Sequence, residues 1–236
     1  MTIAKGFVNL IYPLHCANCR TCLDISNETG LCGLCMAGIR RNPKPHCVSC
    51  GRPVDEAFKA CPECRKTKFH FKSAHSAYVY DGALKELIHI LKYKGRLSLS
   101  ATLSGFMTDF IKENGAILED IDVITFVPLD GRRLRERGFN QSKVIAAGLA
   151  QDAGIGLADI LEKPHTTRHQ NELSKDERMT NLKGAFKVRP DAKVRGLKIL
   201  LIDDVMTTGS TLSECSRTLL DAGAKVVRCL TLARGI

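Results

Sequence analysis

Aromatic side chains are scarce in this sequence. There is no tryptophan, and nine phenylalanines and four tyrosines make up 6% of 236 residues. A wall for stacking a nucleobase has few side chains to draw on, and Phe69, Phe71, Tyr78, Tyr80 and Tyr93 are the candidates. Long apolar runs are also missing. No window approaches the ~20 residues needed to span a bilayer, and residues 1–14 lack the basic, apolar and small-residue order of a secretory signal. Membrane insertion is therefore not expected, and the cytoplasm is the expected compartment. A G-x-x-x-x-G-K-[ST] loop is absent, which removes the P-loop explanation for an apolar strand ending in acids. Acidic residues are the minority charge, 25 against 35 Lys and Arg, for a net charge of +10 and a pI near 9.1. Such a balance attracts polyanions, whether nucleic acid or phosphorylated small molecules, without choosing between them.

Cysteine, by contrast, is abundant: eleven residues, nine of them before position 65. In a reducing compartment this clustering argues for metal rather than disulfides. Eight form four C-x-x-C pairs, Cys16/Cys19, Cys32/Cys35, Cys47/Cys50 and Cys61/Cys64. Each pair can grip zinc from one tight turn, and two pairs complete a tetrahedral four-sulfur site that is closed and therefore structural. Two Zn²⁺ ions per chain follow. Sequential pairing is favoured because the loops within each site would be short and alike in length, although a cross-braced arrangement stays open. Gly33 and Gly51 are expected to permit the sharp backbone of such knuckles. Cys22 is left as a spare thiol, and His15 and His46 are read as solvated neighbours of ligand cysteines. Residues 1–72 are taken as the cysteine-rich module and 73–236 as a second domain. The module holds eleven Lys and Arg against five Asp and Glu, +6 of the total +10. Small basic zinc modules serve either as nucleic-acid contacts or as scaffolds. Arg40, Arg41 and Lys44, between the two proposed sites, are the cluster to weigh for single-stranded DNA against a solvated linker.

After the module the pattern changes to alternating strands and helices. Strands are expected at 74–80, 121–127, 185–188, 197–203 and 225–232, and helices at 82–94, 97–114, 141–152 and 211–222. The helix 82–94 has apolar spacing at Leu84, Leu87, Ile88 and Leu91. This alternation implies an α/β fold, a parallel sheet with helices on both faces. Ligands in such sheets sit at the carboxyl ends of strands. Residues 199–206, Ile-Leu-Leu-Ile-Asp-Asp-Val-Met, place Asp203 and Asp204 at such an end, where they can accept hydrogen bonds from two ribose hydroxyls. Thr207, Thr208, Gly209, Ser210 and Thr211 follow as a small-residue turn opening a helix. Their hydroxyls and N–H groups, at the positive end of a helix dipole, suit a phosphate.

Two further segments belong with this one. Val127-Pro128-Leu129-Asp130 ends a strand and precedes Arg132, Arg133, Arg135 and Arg137. Guanidinium groups suit phosphate recognition through paired N–H bonds, although not all four can point inward. The polar stretch 167–178 lies between a helix and a strand and suits a cover over a site.

Together these features resemble the ComF family of competence-associated proteins, and residues 199–211 resemble the phosphoribosyl pyrophosphate (PRPP) motif of type I phosphoribosyltransferases. The likeness runs through the cysteine pairs, Leu91-Lys92-Tyr93-Lys94-Gly95, Val127-Pro128-Leu129 and Arg137-Gly138-Phe139-Asn140-Gln141. It continues through Thr167-x-x-Gln170, Arg178-x-x-Asn181-Leu182 and 203–211. The resemblance implies a type I phosphoribosyltransferase-like sheet behind a small zinc-ribbon module, and a role in DNA uptake or the use of external DNA, with competence or DNA-uptake proteins as partners. It implies PRPP bound with Mg²⁺, the ribose on Asp203 and Asp204, and the 5-phosphate on Thr207, Thr208, Gly209, Ser210 and Thr211. Arg133 and Arg137 would face the pyrophosphate, with Asp203, Asp204 and Arg137 as the catalytic set. Position 130 departs from the pattern: an acid beside pyrophosphate repels, so Asp130 either points away or alters pyrophosphate handling.

Two functions compete. One is an enzyme moving a ribosyl group to a nucleophile, a nitrogen in the usual chemistry. The other is a non-catalytic single-stranded-DNA-binding competence factor that uses the fold to sense PRPP. The acceptor is not legible. The chain ends just after the last expected strand, so any hood selecting a base is expected from the cysteine module and 68–96.

Overall fold

The structure, a computed structural model, describes residues 14–24, 26–164 and 182–235. The expected cover segment 167–178 lies outside the described residues. Four strands form one parallel sheet: β1 (Ser73–Val79), β2 (Val123–Phe126), β5 (Lys198–Met206) and β6 (Val226–Arg234), in the order β1-β6-β5-β2. Helices are α1 (Gly33–Ala37), α2 (Pro62–Lys66), α3 (Gly82–Lys94), α4 (Leu99–Glu113), α5 (Gly131–Arg137), α6 (Gln141–Ala153) and α7 (Ser210–Asp221). This is the expected α/β architecture of the phosphoribosyltransferase type, with cysteine modules ahead of it.

The central strands are apolar on both faces because both are covered. Along β5, Leu200 and Ile202 enter one core with Leu84, Leu87 and Leu91 of α3, Leu103 of α4 and Leu149 of α6. Ile199 and Leu201 enter the other, with Leu212, Cys215 and Leu219 of α7. The period of two in a strand separates them. Cys215 and Cys229 are fully buried core residues, as their places on a helix and a strand imply.

The cysteine module is built into both cores. Leu31 and Ala17 of its first half pack with α3 and α4, and Gly30 sits so close to Leu99 that a Cβ there would lie 2.6 Å from a leucine methyl. The second half adds Cys47, Cys50 and Cys61 to the core on the α7 face. Gly51 has φ +67°, and a Cβ would lie 2.7 Å from the Ala74 carbonyl, so only glycine fits against β1. Gly33 does not need its freedom, contrary to expectation. It opens α1 with no left-handed φ and nothing within 4 Å of a Cβ. The second pair of each tetrad sits on a short helix, with Cys32 and Cys61 at the N-cap positions of α1 and α2.

Two expectations about strands are corrected. Residues 185–188 do not join the main sheet; only β4 (Lys187–Val188) is extended, antiparallel to β3 (Leu161–Glu162) in a separate ribbon. Two residues make too few ladder bonds to hold a sheet edge. β5 runs three residues past Asp203, so both carboxylates lie on the strand instead of after it. The arginine segment, for which the pattern gave no element, is a helix, α5, which Asp130 caps by accepting from the Arg133 N–H at 3.0 Å.

Candidate functional site

The eight paired cysteines converge in two groups, Cys16, Cys19, Cys32 and Cys35, and Cys47, Cys50, Cys61 and Cys64. Within each group the Sγ atoms lie within 4.8 Å of one another. Pairing is therefore sequential. Tetrahedral Zn²⁺ with Zn–S of about 2.3 Å needs sulfurs about 3.8 Å apart. The Cys19–Cys32 and Cys50–Cys61 separations are both 3.6 Å, so the donor sets fit zinc. Beside the second tetrad lies Arg234, 2% exposed, donating to the Cys50 carbonyl at 2.9 Å and approaching its Sγ at 3.8 Å. Zinc held by four thiolates carries net negative charge, which suits a buried guanidinium. Cys22 and His15 approach each other at 3.8 Å outside the tetrads, and His46 is hydrogen-bonded to the Asn42 carbonyl.

Asp203 and Asp204 meet the N-terminus of α6 and the last turn of α3. Ser142 donates its hydroxyl to Asp203 at 2.8 Å, and the Gln141 amide donates to Asp204 at 3.3 Å. Lys92 forms an ion pair with Asp204, whose side chain is 6% exposed. Burial pushes Asp203 up to about 7, and the neighbouring Asp204 charge adds to the rise against Ser142 and Lys92. Burial would raise Asp204 as well, but the Lys92 ammonium and its hydrogen bond outweigh it and hold the group below the usual carboxylate range. One carboxylate is thus fixed as an anion, and the other takes up a proton near neutrality. Arg137 donates to the Gln141 side-chain oxygen at 2.9 Å and lies over the Tyr93 ring at 5.1 Å. A relay Arg137–Gln141–Asp204–Lys92 therefore links the arginine helix to the strand-end acids. Asn140 anchors it, capping α6 through Ser142 and Lys143 N–H and donating to the Val127 carbonyl.

The turn after β5 is shaped for close approach. Gly209 has φ +82°, with Met206 and Phe69 pressed against it. Ser210 N–H donates to the Thr208 hydroxyl at 3.3 Å, and the two hydroxyls lie 2.9 Å apart. The N-cap of α7 is Gly209, which supplies no side chain, so among the described residues only the Ser210 N–H of the first turn has a side-chain partner to compete with an anion. Thr207 is exposed and Thr211 half-buried. Of the four arginines, Arg137 is the one drawn toward the carboxylates. Arg132 pairs outward with Glu136 at 2.7 Å, and Arg133 stays 3.8 Å from Asp130. Asp130 is 3% exposed and its carboxylate accepts from the Arg133 N–H as the cap of α5.

Comparison with known proteins agrees with this geometry. Residues 140–236 match the phosphoribosyl transferase domain family, and residues 7–66 match the double zinc ribbon domain family. Over 228 residues the chain is 32% identical to the DNA utilization protein YhgH of Salmonella typhimurium, covering 95% of this chain and 99% of the relative. The chain belongs to the ComF family. Two more relatives bear competence names. Competence protein F of Haemophilus influenzae is 29% identical over 94% of this chain and 98% of its own. Competence protein ComFC of Streptococcus pneumoniae is 29% identical over 89% and 90%.

Within this ComF chain, sequence reasoning quoted Lys92, Gln141 and Asn140 as part of a motif but gave them no role, and passed over Ser142 and Arg234. The signal for Lys92 was a lysine in the last turn of a helix that must pack beside an acidic strand end. The Arg40, Arg41 and Lys44 cluster is largely engaged: Arg40 pairs with Asp81, and Arg41 pairs with Glu113 at 2.9 Å and covers Tyr78. Of the stacking candidates, Phe71 and Tyr78 are core residues, whereas Tyr93 is 65% exposed. Among the described residues, no helix is long and apolar enough to cross a membrane.

Proposed function

We propose that this ComF protein binds PRPP with Mg²⁺ and transfers its 5-phosphoribosyl group to a nitrogen nucleophile in the service of DNA utilization. The observation that carries the reading is the junction of β5 and α7, where two carboxylates at a strand end precede a glycine turn and a helix whose glycine N-cap supplies no side chain. Asp203 and Asp204 hold the ribose hydroxyls. Thr207, Thr208, Gly209, Ser210 and Thr211 hold the 5-phosphate with hydroxyls and N–H groups. Mg²⁺ bound with PRPP would supply charge neutralisation at the pyrophosphate. A bond forms between the nitrogen and the anomeric carbon while the carbon–oxygen bond to pyrophosphate breaks, its electron pair leaving with the pyrophosphate. Arg137, steadied by Gln141 and Tyr93, meets the charge that develops there, with Arg133 as a secondary contact. Calorimetry with Mg-PRPP tests the binding. Asp203→Asn with Asp204→Asn should abolish it in a protein that still melts cooperatively, and unchanged affinity would sink the proposal. Pyrophosphate release with a panel of bases, with and without single-stranded DNA, tests turnover.

Single-stranded DNA is the proposed macromolecular partner. A groove of about 550 Å³ on the second ribbon is lined by Lys44, Pro53, Val54, Phe58 and Arg65. Phe58 is 47% exposed, and the Arg65 guanidinium lies over its ring at 4.6 Å. Cations beside an exposed ring suit a phosphate backbone with stacked bases. Affinity should fall steeply with salt, and Lys44→Glu with Arg65→Glu should weaken it. A double variant that binds like wild type across a salt series removes this groove from consideration. Cytoplasmic placement accords with thiolate tetrads, which need a reducing compartment.

A further inference from the structure

The two cysteine tetrads are not equivalent in what they touch. The first packs on α3 and α4. The second lies on the α7 face, directly behind the phosphate turn. Three sets of contacts join them. Arg234, the last residue of β6 and paired in register with Met206, carries its guanidinium back to the Cys50 carbonyl and Sγ. Phe69, three residues beyond α2 and stacked on Phe71 at 4.9 Å, presses against Gly209. His70 donates its backbone N–H to the Ser213 hydroxyl in the first turn of α7. Between ribbon and turn lies a cavity of about 20 Å³ bounded by Arg52, Cys64, Phe69, Thr208, Ser210 and Arg234. That is room for a single water. Arg234 Nε, buried beside it, has no hydrogen-bond partner among the described residues. Neither wall can shift far without the other, because interiors packed this closely transmit displacement.

We propose that Arg234 and Phe69 are positioning residues that couple the second zinc site to the phosphate turn, so that zinc at Cys47, Cys50, Cys61 and Cys64 and a sugar phosphate at 207–211 favour one another. The first tetrad takes no part. Zinc fixes the knuckle carbonyl that receives Arg234, Arg234 fixes the end of β6 beside Met206, and Phe69 closes the back of Gly209. Linkage makes the effect reciprocal: a ligand that orders the turn must hold the second zinc more tightly.

Hydrogen exchange of the full-length, zinc-loaded chain tests the coupling without any ligand. Cys64→Ser should raise exchange of amides 206–213 about tenfold, a coupling of ordinary size, while Cys19→Ser leaves them at the wild-type rate. Arg234→Met should do what Cys64→Ser does with both zinc ions retained, and Arg234→Lys should restore part of the protection. If Cys64→Ser does not fold, stepwise chelation of the wild type replaces it, with zinc loss read by colorimetry and exchange followed in parallel. Turn amides indifferent to loss of the second zinc, or equally sensitive to loss of the first, overturn the proposal. The reciprocal arm rests on the phosphate reading above. Ribose 5-phosphate should slow chelator-driven release of one zinc ion of two by about tenfold. Slowing of neither or of both, when calorimetry shows that the ligand binds, also overturns it. If calorimetry detects neither ribose 5-phosphate nor Mg-PRPP, it is the phosphate reading that fails, and the exchange arm alone decides the coupling.

Discussion

Lys92→Met isolates the interaction that sets the charge of the strand-end carboxylates. The Asp204 side chain is 6% exposed and that of Lys92 18%, so the pair lies nearly out of water. Removing one partner of a fully buried pair leaves the other charge uncompensated, at a cost of about 3–5 kcal/mol. Lys92 keeps some contact with water, and Gln141 still donates to Asp204 at 3.3 Å, so we expect about 2–4 kcal/mol at neutral pH. For a chain of this length each kcal/mol shifts the melting temperature by about 2–4 °C, so the zinc-loaded variant should melt about 4–16 °C lower. The pH dependence has a definite sign. In wild type Asp204 is held below the usual carboxylate range despite burial. That contribution is present above the unfolded carboxylate pKa and lost as pH falls through the folded one. In Lys92→Met burial is opposed chiefly by the weaker Gln141 hydrogen bond, the folded pKa rises, and protonation relieves the penalty as pH falls. The deficit against wild type is therefore largest at neutral pH and shrinks toward acid. Scanning calorimetry across this range measures it. Adding Asp204→Asn should return most of the lost stability by removing the orphaned charge. A Lys92→Met protein melting within about 2 °C of wild type at neutral pH, or a double variant no better than the single, refutes the reasoning.

The remaining expectations concern metal and pH. Elemental analysis should find two zinc ions per chain, and one or none with freely titrating thiols would reject the two-tetrad assignment. Replacing Cys47 and Cys50 should lower the stability of the whole chain, because both side chains belong to the core on the α7 face; circular dichroism showing an undisturbed α/β domain would contradict this. Asp203, pushed up to about 7 by burial and by Asp204, contributes stability that is fully present below the unfolded carboxylate pKa and lost as pH rises through about 7. Since the ribose needs the carboxylate form, Mg-PRPP affinity should weaken as pH falls below about 7, with proton release on binding. Calorimetry in buffers of different ionisation enthalpy reads that release, and its absence would contradict the assignment.

The sequence by itself determined the local chemistry. Four C-x-x-C pairs specify thiolate tetrads because two sulfurs three residues apart reach one metal. The helix Gly82–Lys94 was legible to the residue because Leu84, Leu87, Ile88 and Leu91 repeat at helical spacing and Gly95, with φ +63°, closes it. The β5–α7 junction was legible because a glycine turn between an apolar strand and a helix leaves few alternatives for the backbone. Tertiary structure decided what local pattern does not carry: which distant side chains share a charge or a wall. Lys92 and Asp204 lie on different elements, and only the docking of α3 beside β5 turns an ordinary helix-end lysine into the counter-charge of a buried acid. Asp130 looked like a repulsive acid until the folded chain showed it spent on a helix cap. The separation of the two tetrads onto opposite faces of the sheet was equally invisible, since both are built from C-x-x-C pairs joined by loops of similar length. What distinguishes them is whether the neighbouring wall is α3 and α4 or the back of the phosphate turn, and that follows from packing alone.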